Sequence, residues 1–108
     1  MADFTIKQND TRRAIQTTLK YQDSAVDLSA AGTSVKFLMK NIKGNLKVDA
    51  AATKVDASNG VVKYEWSEGD TDTAGSFRGE FEVTWDNGEI ETFPSDSYID
   101  IFIKNDLG

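Results

Sequence analysis

Residues 75–93 read GSFRGEFEVTWDNGEIETF, and this stretch decides the fold. Asn87-Gly88 lies between two runs in which apolar and polar residues alternate. A two-residue type I′ hairpin loop needs φ > 0 at both central positions, which Asn and Gly accept most readily. Such a loop sets the register by counting: Asp86 would face Glu89, Trp85 would face Ile90, Thr84 would face Glu91 and Val83 would face Thr92. Facing side chains share a side of the sheet. Phe77, Phe81, Val83, Trp85 and Ile90 are therefore expected on one side, and Glu80, Glu82, Asp86, Glu89 and Glu91 on the other. One apolar and one acidic face is the pattern of a strand pair laid over a core.

Working outward, the same alternation recurs in both directions. Phe4 and Ile6 alternate with Thr5 and Lys7; Ile15, Thr17 and Leu19 keep a period of two to about Tyr21. Residues 22–33 form a connection with room for one helical turn over 27–31, too short to be stable alone. Val35, Phe37 and Met39 alternate with Lys36, Leu38 and Lys40, and Lys43-Gly44-Asn45 makes a turn. Residues 46–57 mix helix formers with Val48, Thr53 and Val55, and are read as an irregular or edge strand. Asn59-Gly60 turns into Val62, Tyr64 and Trp66, and a polar corner spans 68–75. Pro94 cannot donate to a ladder, so it and Ser95-Asp96-Ser97 interrupt the last strand, which resumes with Ile99, Ile101 and Ile103. Seven to eight short strands in 108 residues predict an all-β, immunoglobulin-like antiparallel β-sandwich forming one domain over 1–108. Trp85 is preferred over Trp66 as the indole between the sheets, because its expected partner Ile90 is apolar. Phe93, Tyr98 and Phe102 fall outside the main inward phase.

Composition narrows the function. Twelve basic against 18 acidic residues leave a net charge of −6, which opposes binding to nucleic acid or to anionic membranes. Cysteine and histidine are both absent. Disulfides, thiolate chemistry and the commonest metal ligand are thereby excluded. The N-terminal residues MADFTIKQND lack the pattern of a secretory signal, and no apolar run reaches the roughly 20 residues that span a bilayer. A soluble protein made in the cytoplasm is expected.

Four groups invite a functional reading. The strand carboxylates lie on an expected solvent face, whereas acid–base catalysis needs two carboxyls in unlike environments, one of them partly buried. No catalytic residue and no cofactor is therefore expected. Asp70 and Asp72, in Glu68-Gly69-Asp70-Thr71-Asp72, have the spacing that opens a calcium loop but lack its downstream glutamate. They are read instead as a corner whose side chains satisfy backbone N–H groups. The acidic face of Glu80, Glu82, Asp86, Glu89 and Glu91 is the candidate docking surface for a basic partner, with Lys36 and Lys40 as neutralising neighbours if the third strand lies beside the hairpin. The competing explanation is a charged surface that keeps sheets from stacking. Arg12 and Arg13 are read as solvated charges.

Six stretches resemble the N-terminal domain of phage baseplate upper proteins. They are FTIKQNDT (4–11), VDL (26–28) with VKFLM (35–39), and GVVKYEW (60–66) with DTAGSFRGEF (72–81) and TFPS (92–95). Two positions depart from that pattern: Asn9 stands where a glycine is expected in the first turn, and Arg13 where a proline is. Asn tolerates the left-handed region, so the turn should survive. The resemblance implies an immunoglobulin-like sandwich serving as a structural part of a phage tail or host-adhesion device. In larger relatives the module anchors a receptor-binding protein to the baseplate; here a small tail accessory protein, or one encoded by a prophage, is expected. Its partners would be other tail or baseplate proteins, with self-association compatible and many copies supplying avidity. The alternative is a β-sandwich adhesin that binds carbohydrate or a cell surface.

Overall fold

Alternation becomes strand wherever the sequence sustains it. The computed structural model describes residues 3–94 and 97–107. Its strands are β1 (Phe4–Lys7), β2 (Ile15–Thr18), β3 (Lys20–Tyr21), β4 (Ser24–Ala25), β5 (Ser34–Asn41), β6 (Leu46–Ala51), β7 (Thr53–Asp56), β8 (Val61–Tyr64), β9 (Gly75–Thr84), β10 (Ile90–Phe93) and β11 (Ile99–Lys104). A 3₁₀ turn at Ala57–Asn59 precedes β8. No helix forms over 27–31. There the Asp27 carboxylate accepts the Ser29 N–H at 2.9 Å, and the chain closes a turn from Thr33 N–H to Ala30 C=O at 3.1 Å.

Two sheets face each other. The larger has the order β1-β11-β9-β5-β6, with β10 beside the far half of β9; the smaller is β2-β8-β7. All pairings are antiparallel except β1 with β11, which is parallel. The expected all-β sandwich is the observed architecture; its extra strand segments come from breaks within expected strands and from β4, which forms inside the expected connection 22–33 and pairs β3 in a small two-stranded sheet. The irregular stretch 46–57 is one such case. It breaks at Ala52, whose N–H donates to Val35 C=O at 2.9 Å, and passes from the edge of the larger sheet to the edge of the smaller. The last strand is another. β10 pairs β9 as Phe93↔Phe81 and β11 resumes as Ile99↔Gly79, with a cis peptide at Phe93–Pro94 between them. Of the expected Ser95-Asp96-Ser97 interruption, Ser95 and Asp96 lie outside the described residues.

The core is aromatic at its centre. Phe37 stacks on Tyr64 across the sheets with ring centroids 4.9 Å apart, meets Phe81 at 5.1 Å, and takes Trp66 edge-on at 5.8 Å. Trp66, not Trp85, is the indole that fills the inter-sheet space. Phe4 covers it from the other side at 5.9 Å, and its Nε1–H donates to Arg13 C=O at 2.9 Å. Trp85 is only partly buried against the same core. The difference is one of hydrogen bonding as much as area, since a buried indole N–H needs an acceptor and the 8–14 connection supplies one for Trp66.

The decisive hairpin forms, with a different loop. Gly88 N–H donates to Trp85 C=O at 2.9 Å and Trp85 N–H to Glu89 C=O at 2.8 Å. Gly88 has φ 90°, whereas Asn87 is not among the positive-φ residues. The loop is thus three residues, a type I turn followed by a left-handed glycine, rather than a type I′ pair. Asn87 is held by its side chain instead: its Oδ1 accepts the Glu89 N–H at 3.0 Å and its Nδ2 donates to Glu89 Oε1 at 2.8 Å. The register moves by one, to Ile90↔Thr84, Glu91↔Val83 and Phe93↔Phe81. Ile90 therefore turns outward, 64% exposed, and Phe93 turns inward, 1% exposed, both against expectation. Burying a phenyl ring rather than a sec-butyl group favours this register, since apolar area contributes about 25 cal/mol per Å². At the first turn Asn9 does adopt the left-handed conformation, with φ 70°.

Candidate functional site: the outer face of the larger sheet

With one face of β5, β9 and β11 committed to the core, the alternate residues define the opposite face. On β9 these are Arg78, Glu80, Glu82 and Thr84; on β5 Lys36, Leu38 and Lys40; on β11 Asp100 and Phe102. Cross-strand pairing sets Lys36 beside Glu82, Leu38 beside Glu80, and Arg78 between Lys40 and Asp100. Lys36 Nζ lies 3.7 Å from Glu82 and 3.3 Å from Asp49. The neutralisation expected from the third strand is therefore real for Lys36. These pairs are open to solvent on at least one side, and each contributes about 1 kcal/mol or less.

The five acidic residues do not form one face. Glu80 and Glu82 share the outer face, and Asp86 and Glu89 sit on the exposed hairpin tip beyond it. Glu91, opposite Val83, is carried to the other side by the one-residue change of register. What the acidic pattern concealed is a groove further along the same face. Leu38, Lys40, Ile42, Arg78, Glu80 and Tyr98 line one part of it, a depression of about 260 Å³. Ile42 is 73% and Tyr98 51% exposed, and the Arg78 guanidinium lies 5.2 Å from the centre of the Tyr98 ring. The groove continues past Ile42 and Arg78 to Phe102. Tyr98 and Phe102 were separable in the sequence as aromatics out of phase. Ile42 and Arg78 were not singled out, although an apolar residue placed just outside a strand's inward phase and before a turn is a signal that could have found Ile42.

The remaining candidates are engaged in structure. Asp70 accepts from the Tyr64 hydroxyl and from the Ser67 N–H, the latter at 2.8 Å. Asp72 takes Lys47 Nζ at 2.5 Å and Thr73 Oγ1 at 2.9 Å, and the Lys47 hydrogen bond is the main reason its carboxyl titrates below the usual aspartate value. Both carboxylates thus stitch the 67–75 corner. Arg12 and Arg13 are exposed, and what the core uses is the Arg13 carbonyl.

Tyr64 carries a testable consequence. Burial, with the hydrogen bond to and the charge of Asp70 behind it, pushes its phenol from the usual 10 up to about 12. The unfolded chain ionises this tyrosine first, so its contribution to stability is intact below about pH 10 and drains away as pH rises towards 12. Tyr64→Phe should lose part of that alkaline slope. Melting temperatures followed from about pH 9 to about pH 12 check it; parallel curves for the two proteins would refute the assignment.

These features define a class first: a β-sandwich part that offers its surroundings a mixed charged and apolar sheet face. The chain belongs to the BppU N-terminal domain family, the N-terminal domains of baseplate upper proteins, whose family model matches residues 2–95. It is a phage baseplate structural module and a component of the virion tail. The match spans every strand except β11, which lies between β1 and β9 in the larger sheet. Among solved structures the chain is similar to CopC from Methylosinus trichosporium OB3b, with a TM-score of 0.58 and 12% identity, covering 100% of this chain and 89% of that one. At that identity the likeness is one of fold alone. No curated protein matches the chain in sequence. No helix among the described residues is long and apolar enough to cross a membrane.

Proposed function

We propose that the chain acts as one non-enzymatic domain that joins neighbouring proteins of a phage or prophage tail. The outer face of its larger sheet and the acidic hairpin tip serve as the contact surfaces. In this reading it is made in the host cytoplasm and built into the virion. The observation that carries the proposal is the family match across nearly the whole sandwich. In this reading Glu80 on the outer face and Asp86 and Glu89 at its end meet a basic partner, Glu82 shares its charge with Lys36, and Glu91 drops out of the docking set.

Tails purified by density gradient from cells producing a tagged chain should carry it. Reversing Glu80 and Glu82 to lysine should lower its share in the tail fraction in a salt-dependent way, because such contacts at an exposed rim are screened. A chain that stays at the top of the gradient, with tails of normal composition when its gene is deleted, would overturn the tail reading. Full incorporation of the doubly reversed protein at every salt concentration would remove the acidic face alone.

A further inference from the structure

The groove and the hairpin tip are chemically complementary, and they sit on the same molecule. Lys40 and Arg78 line the groove with Leu38, Ile42 and Tyr98, and Lys43 stands on the adjoining turn. Glu80 also lines it and Asp100 lies beside Arg78 on β11, so its charge is mixed, with Lys43 adding a cation at the adjoining turn. Among the described residues, neither Lys40, Lys43 nor Arg78 has a carboxylate within salt-bridge distance. The tip offers the converse: exposed Asp86 and Glu89 next to Ile90, a large aliphatic side chain turned to solvent by the register. The groove is an open trough in two parts, about 260 Å³ and about 300 Å³, bordered by the exposed Ile42 and Tyr98, and it has room for the side chains of a protruding tip.

We propose that the occupant is a second copy of this chain, whose hairpin tip places Ile90 against Leu38 and Ile42 and its carboxylates against Lys40 and Arg78. The contact is necessarily between molecules. Arg78 and Asp86 are eight residues apart on one strand run, about 26 Å, so a tip cannot reach its own groove. Where one tip enters one groove the contact is heterologous, and a pair keeps one free tip on one copy and one free groove on the other. Copies therefore add head to tail, closing into a ring or continuing as a row, and weak single contacts are reinforced by number. The inference is separate from the tail proposal, because purified chain alone is the sample.

Sedimentation of the purified chain tests it. At about 0.05 M salt the average mass should rise above the 11.9 kDa monomer between about 10 µM and about 1 mM chain, and fall back towards it at about 0.5 M salt. Arg78→Glu and Asp86→Lys should each weaken association about tenfold, and the two together in one chain should restore it. Lys40→Glu replaces Arg78→Glu should the latter fail to melt cooperatively. A monomer at every concentration in low salt would overturn the proposal. So would association indifferent to Arg78→Glu and Lys40→Glu, or a double reversal that fails to restore it.

Discussion

Phe37→Ala should cost about 3–5 kcal/mol, a large share of the roughly 5–15 kcal/mol that stabilises a domain of this size. Phe37 is fully buried on β5 and touches three other rings. Two of them, Tyr64 and Trp66, come from β8 and the residues just after it, and Phe81 comes from β9 in its own sheet. Truncation would leave a void walled by rigid rings, which relax into it poorly. It would also remove the edge-on and stacked contacts that add about 0.5–1.5 kcal/mol per pair beyond area. The melting temperature should fall by about 15 °C or more. Phe37→Leu, which keeps much of the volume, should lose markedly less. A Phe37→Ala protein that melts within a few degrees of the parent would show that this stack does not hold the two sheets together.

The second large effect is at a glycine. Gly60 has φ 71°, and a Cβ there would sit 2.7 Å from Val26 C=O and 2.9 Å from Leu19 C=O. Both obstacles are backbone and cannot swing aside. The same residue ties three segments together: its C=O accepts the Leu19 N–H at 2.8 Å, and Leu19 C=O in turn accepts the Val26 N–H at 3.0 Å. Gly60→Ala should therefore lose about 1–2 kcal/mol to left-handed strain and a further 1–3 kcal/mol or so to the clash. Gly44→Ala isolates the first part, since Gly44 has φ 87° with nothing within 4 Å of a Cβ. Denaturant midpoints of the two variants should differ by the clash contribution. Equal losses would mean that the junction yields without cost, and that the close approach of 19, 26 and 60 is not a constraint on the fold.

The hairpin shows where local reading stops. Alternation in 75–84 assigned Phe77, Phe81 and Val83 to the core correctly, and the turn was placed at the right residues. What it could not choose was between a two-residue and a three-residue loop, because Asn87-Gly88 suits a type I′ turn by propensity, while a left-handed glycine after a type I turn needs only Gly88. That choice moved Phe93 inward, Ile90 outward and Glu91 off the acidic face. The groove was hidden for a related reason. Ile42, Arg78 and Tyr98 belong to three separate stretches, and only the pairing of β5 and β11 on either side of β9 brings them together.

By itself the amino-acid sequence determined which residues within each strand share a face, where the chain must turn at Asn9, Gly44 and Gly60, and that the whole is a β-sandwich. Those are consequences of period-two geometry and of backbone conformations open to few side chains. Tertiary structure alone decided how one strand is offset against the next, which indole lies between the sheets, and which exposed side chains converge on the outer face. Offsets are settled by the burial of distant rings such as Phe93 and by acceptors such as the Arg13 carbonyl, and neither is encoded in the residues that alternate.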